Sequence, residues 1–410
     1  MKPAPASDVP SPGIDGESPR HESLLDVDRV VRTIAAVVGA GGRPIPLHEP
    51  EFTGNESVYL NECLETSQVS STGPFVIRFE QALAQFTGAR YAIATVNGTA
   101  ALHVALNLVG VRPGDEVLTP SLTFVAAANA TRYCGAIPHF IDSEALTLGV
   151  DPGKLADHLA VKAAVRDGHC VNRETGRRIA AALPMHTFGH PVDLDPLTDL
   201  CDRYGIPLVE EAANALGSLY KGRHAGTTGR MGIISFNGNK IVTTGGGGAI
   251  LTSDPALAET AKHLTTTGKL PHRWAFDHDR VAYNYRLPNI NAALGCAQLE
   301  RLATCVERKR RLAQRYAAAF DGVDGARIFV EPPFARSNYW LNTLLLDADT
   351  PEPRDLVLAR THDAGILTRP AWTPMHLLPM FADCPRMDLT VAERLATQIV
   401  SLPSSARLGD

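Results

Sequence analysis

Lys240 stands between an apolar run, 231–236, and a four-glycine turn, 245–248, that leads into Ala249-Ile-Leu-Thr. Both flanks read as short buried strands, so the lysine lies at their mouth, where water is scarce. Desolvation disfavours an ammonium, and a neutral amine is the form that attacks a carbonyl to make a Schiff base. The glycines allow a tight turn and a close approach of backbone to a bound group. A surface lysine in a Gly-rich hairpin fits this segment equally well. Other residues must decide.

Upstream, Ile206-Pro-Leu-Val-Glu-Glu-Ala-Ala-Asn reads as a strand ending in acid, where open α/β sheets hold their ligands. A carboxylate there can keep a ring nitrogen protonated, as a pyridoxal phosphate ring requires; a solvated strand rim is the plainer alternative. Asn97-Gly-Thr-Ala-Ala-Leu-His opens an amphipathic helix after the strand-like 91–96. Its first amides and the Thr99 hydroxyl form a ready anion site, though Thr99 would serve equally as a helix cap. Phe124 stands at a strand-to-helix junction after Asp115-Glu-Val-Leu-Thr-Pro. It suits core packing, or stacking on a flat cofactor.

In this order the motifs resemble the DegT/StrS-type pyridoxal phosphate-dependent sugar aminotransferases of fold type I, over nearly the whole chain. The resemblance implies that Gly98, Thr99, Ala100 and Ser235 bind the cofactor phosphate, and that Phe124 stacks on its ring. It places Glu211 at the ring nitrogen, Asn214 at the ring hydroxyl and Lys240 as the Schiff-base lysine. Asn284, in Tyr283-Asn-Tyr-Arg, maps to a residue reaching the phosphate of a neighbouring subunit, which implies a homodimer with shared active sites. Three residues depart from the family pattern: Glu211 for Asp, Asn214 for Gln, and Gly246 where many members carry Glu. Family dehydratases carry His in place of the lysine, so Lys240 implies transamination, with L-glutamate as donor and 2-oxoglutarate as product.

Pro184-Met-His-Thr-Phe-Gly-His, Pro271-His-Arg-Trp, Asn338-Tyr-Trp-Leu-Asn and Arg369-Pro-Ala-Trp-Thr-Pro-Met-His resemble the legionaminic acid and bacillosamine branch. That branch aminates C4 of a nucleotide-linked 4-keto-6-deoxy-N-acetylhexosamine. His186, Arg273, Trp274, Tyr339, Trp340, Arg369, Trp372 and His376 would then form an aromatic and cationic set suited to a sugar nucleotide. Taken singly, each also reads as a partly buried packing residue.

The elements that must hold these residues follow from patterning. Strand-like runs at 91–96, 116–119, 136–141, 180–185, 208–210, 232–236 and 248–251 alternate with helical ones, which predicts an α/β fold. The expectation is a mostly parallel seven-stranded sheet flanked by helices, with a smaller α+β C-terminal domain; the fold type I resemblance implies that the last hairpin makes one strand antiparallel, and 243–248 fits that turn. The expected organisation is a disordered tail at 1–20, N-terminal helices and the cofactor domain over 21–255, and the small domain over 256–410. A short helix is expected over 24–38, an amphipathic helix over 75–86 and one long helix over 291–320.

Composition excludes several classes. The chain has 410 residues, 44% of them hydrophobic, and a net charge of −5 without a long basic run, which argues against nucleic acid as a partner. Seven cysteines without a Cys-x-x-Cys pair predict reduced thiols in a cytoplasm, and fourteen histidines show no metal spacing. No apolar run is long enough to span a membrane, and no basic start precedes an apolar stretch as in a secretory signal. A Rossmann dehydrogenase would need Gly-x-Gly-x-x-Gly after a first strand, which is missing. Another fold type I reaction on a different keto sugar, or a non-catalytic regulatory subunit on this fold, stays open.

Overall fold

The computed structural model describes residues 25–39 and 44–410. The tail expected over 1–20 lies outside the described residues. Seven strands form the large sheet: β1 (Tyr91–Thr95), β2 (Glu116–Pro120), β3 (Ile137–Ile141), β4 (Ile179–Ala182), β5 (Val209–Glu211), β6 (Met231–Ser235) and β7 (Gly248–Thr252). Their order is β1-β7-β6-β5-β4-β2-β3, with β4 and β5 joined by the Ala182–Leu208 and Met185–Glu211 bridges. Only β7 runs against its neighbours, pairing antiparallel with both β1 and β6. This is the mostly parallel seven-stranded arrangement that patterning predicts.

Strand periodicity explains how both faces are filled. Ile93, Ile233 and Ile250 face a layer built by the Gly98–Leu108, Ala126–Tyr133 and Pro255–Thr265 helices. Ala94, Ile234 and Leu251, each one residue on, face the Pro74–Thr87 and Asn289–Glu300 helices through Phe75, Phe79, Ala292 and Cys296. The strands are therefore buried on both sides, and ligands are left to the loops at their ends.

A second core holds an antiparallel sheet in the order Ala326–Ile328, Asn342–Leu346, Ile399–Leu402, Arg369–Pro370. The Val27–Val38 helix packs here, with Val30 and Ile34 against Leu312, Tyr316, Leu344 and Val400. The expected boundary at 255 does not coincide with this packing. The Pro255–Thr265 and Asn289–Glu300 helices cover the large sheet, while the N-terminal helix joins the C-terminal core. The long helix expected over 291–320 is two, Asn289–Glu300 and Leu302–Ala319, broken at Arg301. The break redirects the chain. The second helix begins in the large core with Leu302 and Val306 and ends in the C-terminal core with Leu312 and Tyr316.

Several elements were not predicted, among them a hairpin and the Glu56–Glu65 helix. Ala163–Arg166 and His169–Asn172 form a hairpin closed by Asp167-Gly168, both in the left-handed region. Asp-Gly is the favoured pair for such a turn, and the signal was readable.

Candidate active site

β1 ends at Thr95, and the Gly98–Leu108 helix starts three residues later. Asn97 caps it, its Oδ1 accepting the Ala100 N–H at 2.7 Å. The Ala100 N–H, expected at the phosphate, donates to this cap instead of pointing free. Among the described residues the N–H groups of Gly98 and Thr99 have no partner, and they point out of the helix start, where anions bind. Ser235, at the end of β6, closes the other side, and a Cβ on Gly98 would meet its Cβ at 3.2 Å. Gly248 binds these pieces together, since it pairs with both Thr95 and Ser235. A Cβ there would lie 2.5 Å from the Asn97 carbonyl carbon, so no other residue fits.

Lys240 rises from the loop between β6 and β7. Its Nζ donates to Asn214 Oδ1 at 2.5 Å and lies 3.9 Å from the centre of the Trp340 ring. Burial lowers its pKa to about 8, against an opposing pull from Glu211. About a tenth of the amine is then neutral at pH 7, far more than for an ordinary lysine, and the neutral form is the one a Schiff base requires.

Neighbouring strand residues point to opposite faces, and the two glutamates at the end of β5 divide accordingly. Glu210 turns away from the cleft. It accepts from His186 Nε2 at 3.0 Å and from the amides of Gly226, Thr228 and Gly229 at 2.8, 2.6 and 2.6 Å. Burial pushes its pKa up, but His186 and these amides outweigh it and hold the carboxyl below its usual value. Glu211 lines the cleft, with one oxygen accepting the Ala213 N–H at 3.0 Å. Burial raises its pKa, offset in part by Lys240. The extra methylene relative to Asp is absorbed by this bend back to the chain.

The cleft encloses about 330 Å³. Phe124 borders it with 52% of its surface exposed, which is unusual for a phenylalanine between a strand and a helix. Trp340 and Trp372 complete the wall; Trp372 stacks on Phe188 at 4.8 Å, and the Trp340 indole donates to Asn239 O at 2.8 Å. Asn338 ties this wall to the floor. Its Nδ2 donates to Asn214 O and Leu216 O, and its Oδ1 accepts the Trp340 N–H at 2.7 Å.

The other residues expected to meet a sugar nucleotide do not face the cleft. His186 is fully buried, with Nε2 on Glu210 and Nδ1 accepting from Val192 N–H, so it positions Glu210 instead. His376 is spent on Ser121 and Glu393, and Tyr339 is buried with its hydroxyl on Glu331 N–H. Arg369 is exposed against Thr368 O and His362. Arg273 and the 72%-exposed Trp274 lie on a projecting segment, and Asn284 is exposed at its base. Sequence reasoning missed Asn97, Asn239 and Asn338. The first was readable as Asn before Gly-Thr-Ala-Ala, a strong N-cap signal; the other two act over distances that no local pattern encodes.

The arrangement fits pyridoxal phosphate. Two free helix-start amides and a serine suit a phosphate, and the exposed Phe124 face suits a ring. The Asn214 Nδ2 is buried without a partner among the described residues, a donor left for a ligand oxygen. Among the described residues no cluster of metal-binding side chains occurs.

Residues 50–410 match the family described as DegT/DnrJ/EryC1/StrS aminotransferases. EpsN of Bacillus subtilis (strain 168), which carries a provisional assignment as a pyridoxal phosphate-dependent aminotransferase, is 40% identical over 339 residues, 83% of this chain and 84% of that one. GDP-perosamine synthase of Caulobacter vibrioides is 37% identical over 367 residues, covering 89% and 94%. The crystal structure of the aminotransferase TlmJ from Streptoalloteichus hindustanus superposes with a TM-score of 0.79 at 32% identity, covering 88% and 93%. The chain therefore belongs to the DegT/DnrJ/EryC1/StrS aminotransferase family, pyridoxal phosphate-dependent sugar aminotransferases of fold type I.

Proposed function

We propose that this enzyme transfers the amino group of L-glutamate to C4 of a nucleotide-linked 4-keto-6-deoxy-N-acetylhexosamine, releasing 2-oxoglutarate. The observation that carries the reading is the Lys240 amine, held between Asn214 and Trp340 and facing Glu211, beside the free amides of Gly98 and Thr99. Gly98, Thr99 and Ser235 would hold the phosphate, Phe124 the ring face and Asn214 Nδ2 the ring hydroxyl, with Glu211 at the ring nitrogen. Bound pyridoxal phosphate supplies an aldehyde that takes up the amine and a protonated ring that accepts electrons from a deprotonated carbon. Lys240 removes the proton from the donor α-carbon and later delivers a proton to C4 of the sugar. Glu211, kept from water, holds the ring nitrogen protonated while Lys240 works.

The identity of the sugar has a second reading. Three relatives, 34–37% identical over 82–89% of this chain, are GDP-perosamine synthases, which favours a GDP-linked sugar. Incubating the pyridoxal phosphate-loaded protein with glutamate and a panel of UDP- and GDP-linked 4-keto sugars, then weighing the products, separates the two. Amination of an N-acetylhexosamine supports the first reading and of a GDP-hexose the second. No amination of any member, or a protein that binds no pyridoxal phosphate, refutes both. The exposed Asn284 supports a homodimer in which each subunit completes its neighbour's phosphate site. Seven free cysteines fit a reducing cytoplasm, and no described helix is long and apolar enough to cross a membrane.

A further inference from the structure

Lys309 is fully buried on the Leu302–Ala319 helix, in a stretch whose neighbours Val306, Leu312 and Ala313 are core residues. Among the described residues no carboxylate pairs with its ammonium. Its Nζ donates instead to two main-chain carbonyls, Trp340 O at 3.1 Å and Ser404 O. Burial pushes its pKa down to about 7, and the titratable groups near it are Cys305 and His48. An unpaired buried cation is costly, and a methionine or leucine would pack at such a position with less penalty. What the lysine secures is therefore informative.

It secures the residue that roofs Lys240. Trp340 is fastened at three points: its N–H on Asn338 Oδ1, its indole N–H on Asn239 O and its carbonyl on Lys309. The first two anchors belong to the cleft wall, and the third comes from the helix that joins the two cores. We propose that Lys309 is a positioning residue that, by holding the Trp340 carbonyl, keeps the indole over Lys240 and water away from its amine. The proposal rests on Lys240 being the amino-transfer lysine, but its test reads the amine itself.

The direction follows from two opposed effects. Burial is the main cause of the depressed Lys240 pKa, from 10.5 to about 8. The ring's attraction for an ammonium acts the other way and is worth about one pH unit. Displacing the indole admits water and removes both effects; the larger one wins, so the pKa rises. The titratable groups facing Lys240 are Glu211 and His48.

The experiment uses cofactor-free full-length protein: wild type, Lys309→Met, Trp340→Ala and the double variant. The pH dependence of Lys240 acylation by an amine-reactive anhydride is followed by peptide mass spectrometry, with melting temperature beside it. The expected midpoint is about 8 in the wild type and about one unit higher in each single variant. In the Trp340→Ala background Lys309→Met should add nothing to the midpoint, because the indole it positions is already gone. A Lys309→Met protein that folds with an unshifted midpoint overturns the proposal, as does full additivity in the double variant. If Lys309→Met does not fold, Trp340→Ala and Lys309→Arg decide. Arginine keeps donors for both carbonyls and should leave the midpoint at the wild-type value. An unshifted midpoint in Trp340→Ala, or a shifted one in Lys309→Arg, refutes the role. Absence of sugar amination would sink the proposed reaction while leaving this readout intact.

Discussion

Replacing Glu211 by glutamine removes one negative charge and almost no volume, at a carboxylate that the fold encloses on β5. If Glu211 holds the ring nitrogen protonated, the contact is charge-assisted, at about 2.8 Å. At an effective dielectric of about 20, such a pair is worth about 6 kcal/mol. Glutamine recovers part of this, because a neutral amide is cheaper to bury and its oxygen still accepts the Ala213 N–H, now at 3.0 Å. A net loss of about 3–4 kcal/mol slows turnover by about 10²- to 10³-fold. The assay is a single turnover with glutamate, followed through the visible absorbance of the bound cofactor, with cofactor affinity and melting temperature as controls. Glu211→Asp should keep wild-type activity, because an aspartate reaches the amide two residues on without help from the extra methylene. A Glu211→Gln enzyme that binds cofactor and turns over normally refutes the reasoning, and the ring would then face another group.

Three further outcomes are expected. Lys240→Met should abolish transamination and the visible absorbance, yet stabilise the cofactor-free protein by about 3 kcal/mol at pH 7. The folded lysine, at about 8, binds fewer protons than an ordinary lysine at 10.5, so wild-type stability rises with pH through that window and the variant's advantage shrinks there; chemical denaturation at pH 7 and 10 checks this. Asn284→Ala should weaken pyridoxal phosphate binding, and mixing it with Lys240→Ala subunits should regenerate some activity, a result that a strictly monomeric active enzyme would contradict. Gly248→Ala, whose Cβ would sit 2.6 Å from the Gly98 N, should cost about 1–3 kcal/mol of stability and lower cofactor affinity, measured by thermal melting and equilibrium dialysis.

The strands of the large sheet were legible in the sequence because each is a short apolar run bounded by turn residues, and each falls within about three residues of its expected place. The antiparallel β7 was expected from the family resemblance, which the glycine-rich 243–248 fits; the 236–247 loop that carries Lys240 separates it from β6. Less visible was how helices divide between cores. The 291–320 periodicity is continuous in sequence, and the break at Arg301 exists because two cores compete for one amphipathic stretch. In the site, Lys240, Glu211, Asn214, Ser235, Thr99, Gly98 and Phe124 line one cleft because each lies at a strand end or helix start, and such ends converge. The aromatic and cationic set fared worse. Residue type reports what a side chain could bind, whereas His186, Tyr339 and His376 have their polar atoms satisfied by Glu210, Glu331, Ser121 and Glu393. Those partners are distant in sequence, and nothing local announces them.

The position of β7 has a consequence for how the protein is made. It is the last strand of the large sheet to be synthesised, yet it sits next to the first, and its Gly248 is the point where the ends of β1 and β6 meet. Before residue 252 leaves the ribosome, β1 has no strand to pair with and the Gly98 amides are not brought to Ser235. Closing this pairing draws together parts of the chain far apart in sequence, a slow and entropically costly step. A phosphate bound across the two strand ends favours the closed form by mass action. If Gly98 and Ser235 hold the phosphate as proposed, cofactor capture and completion of the sheet are coupled in time. Scarcity of the cofactor during synthesis would lengthen the interval in which the edge of β6 is open to the wrong partner.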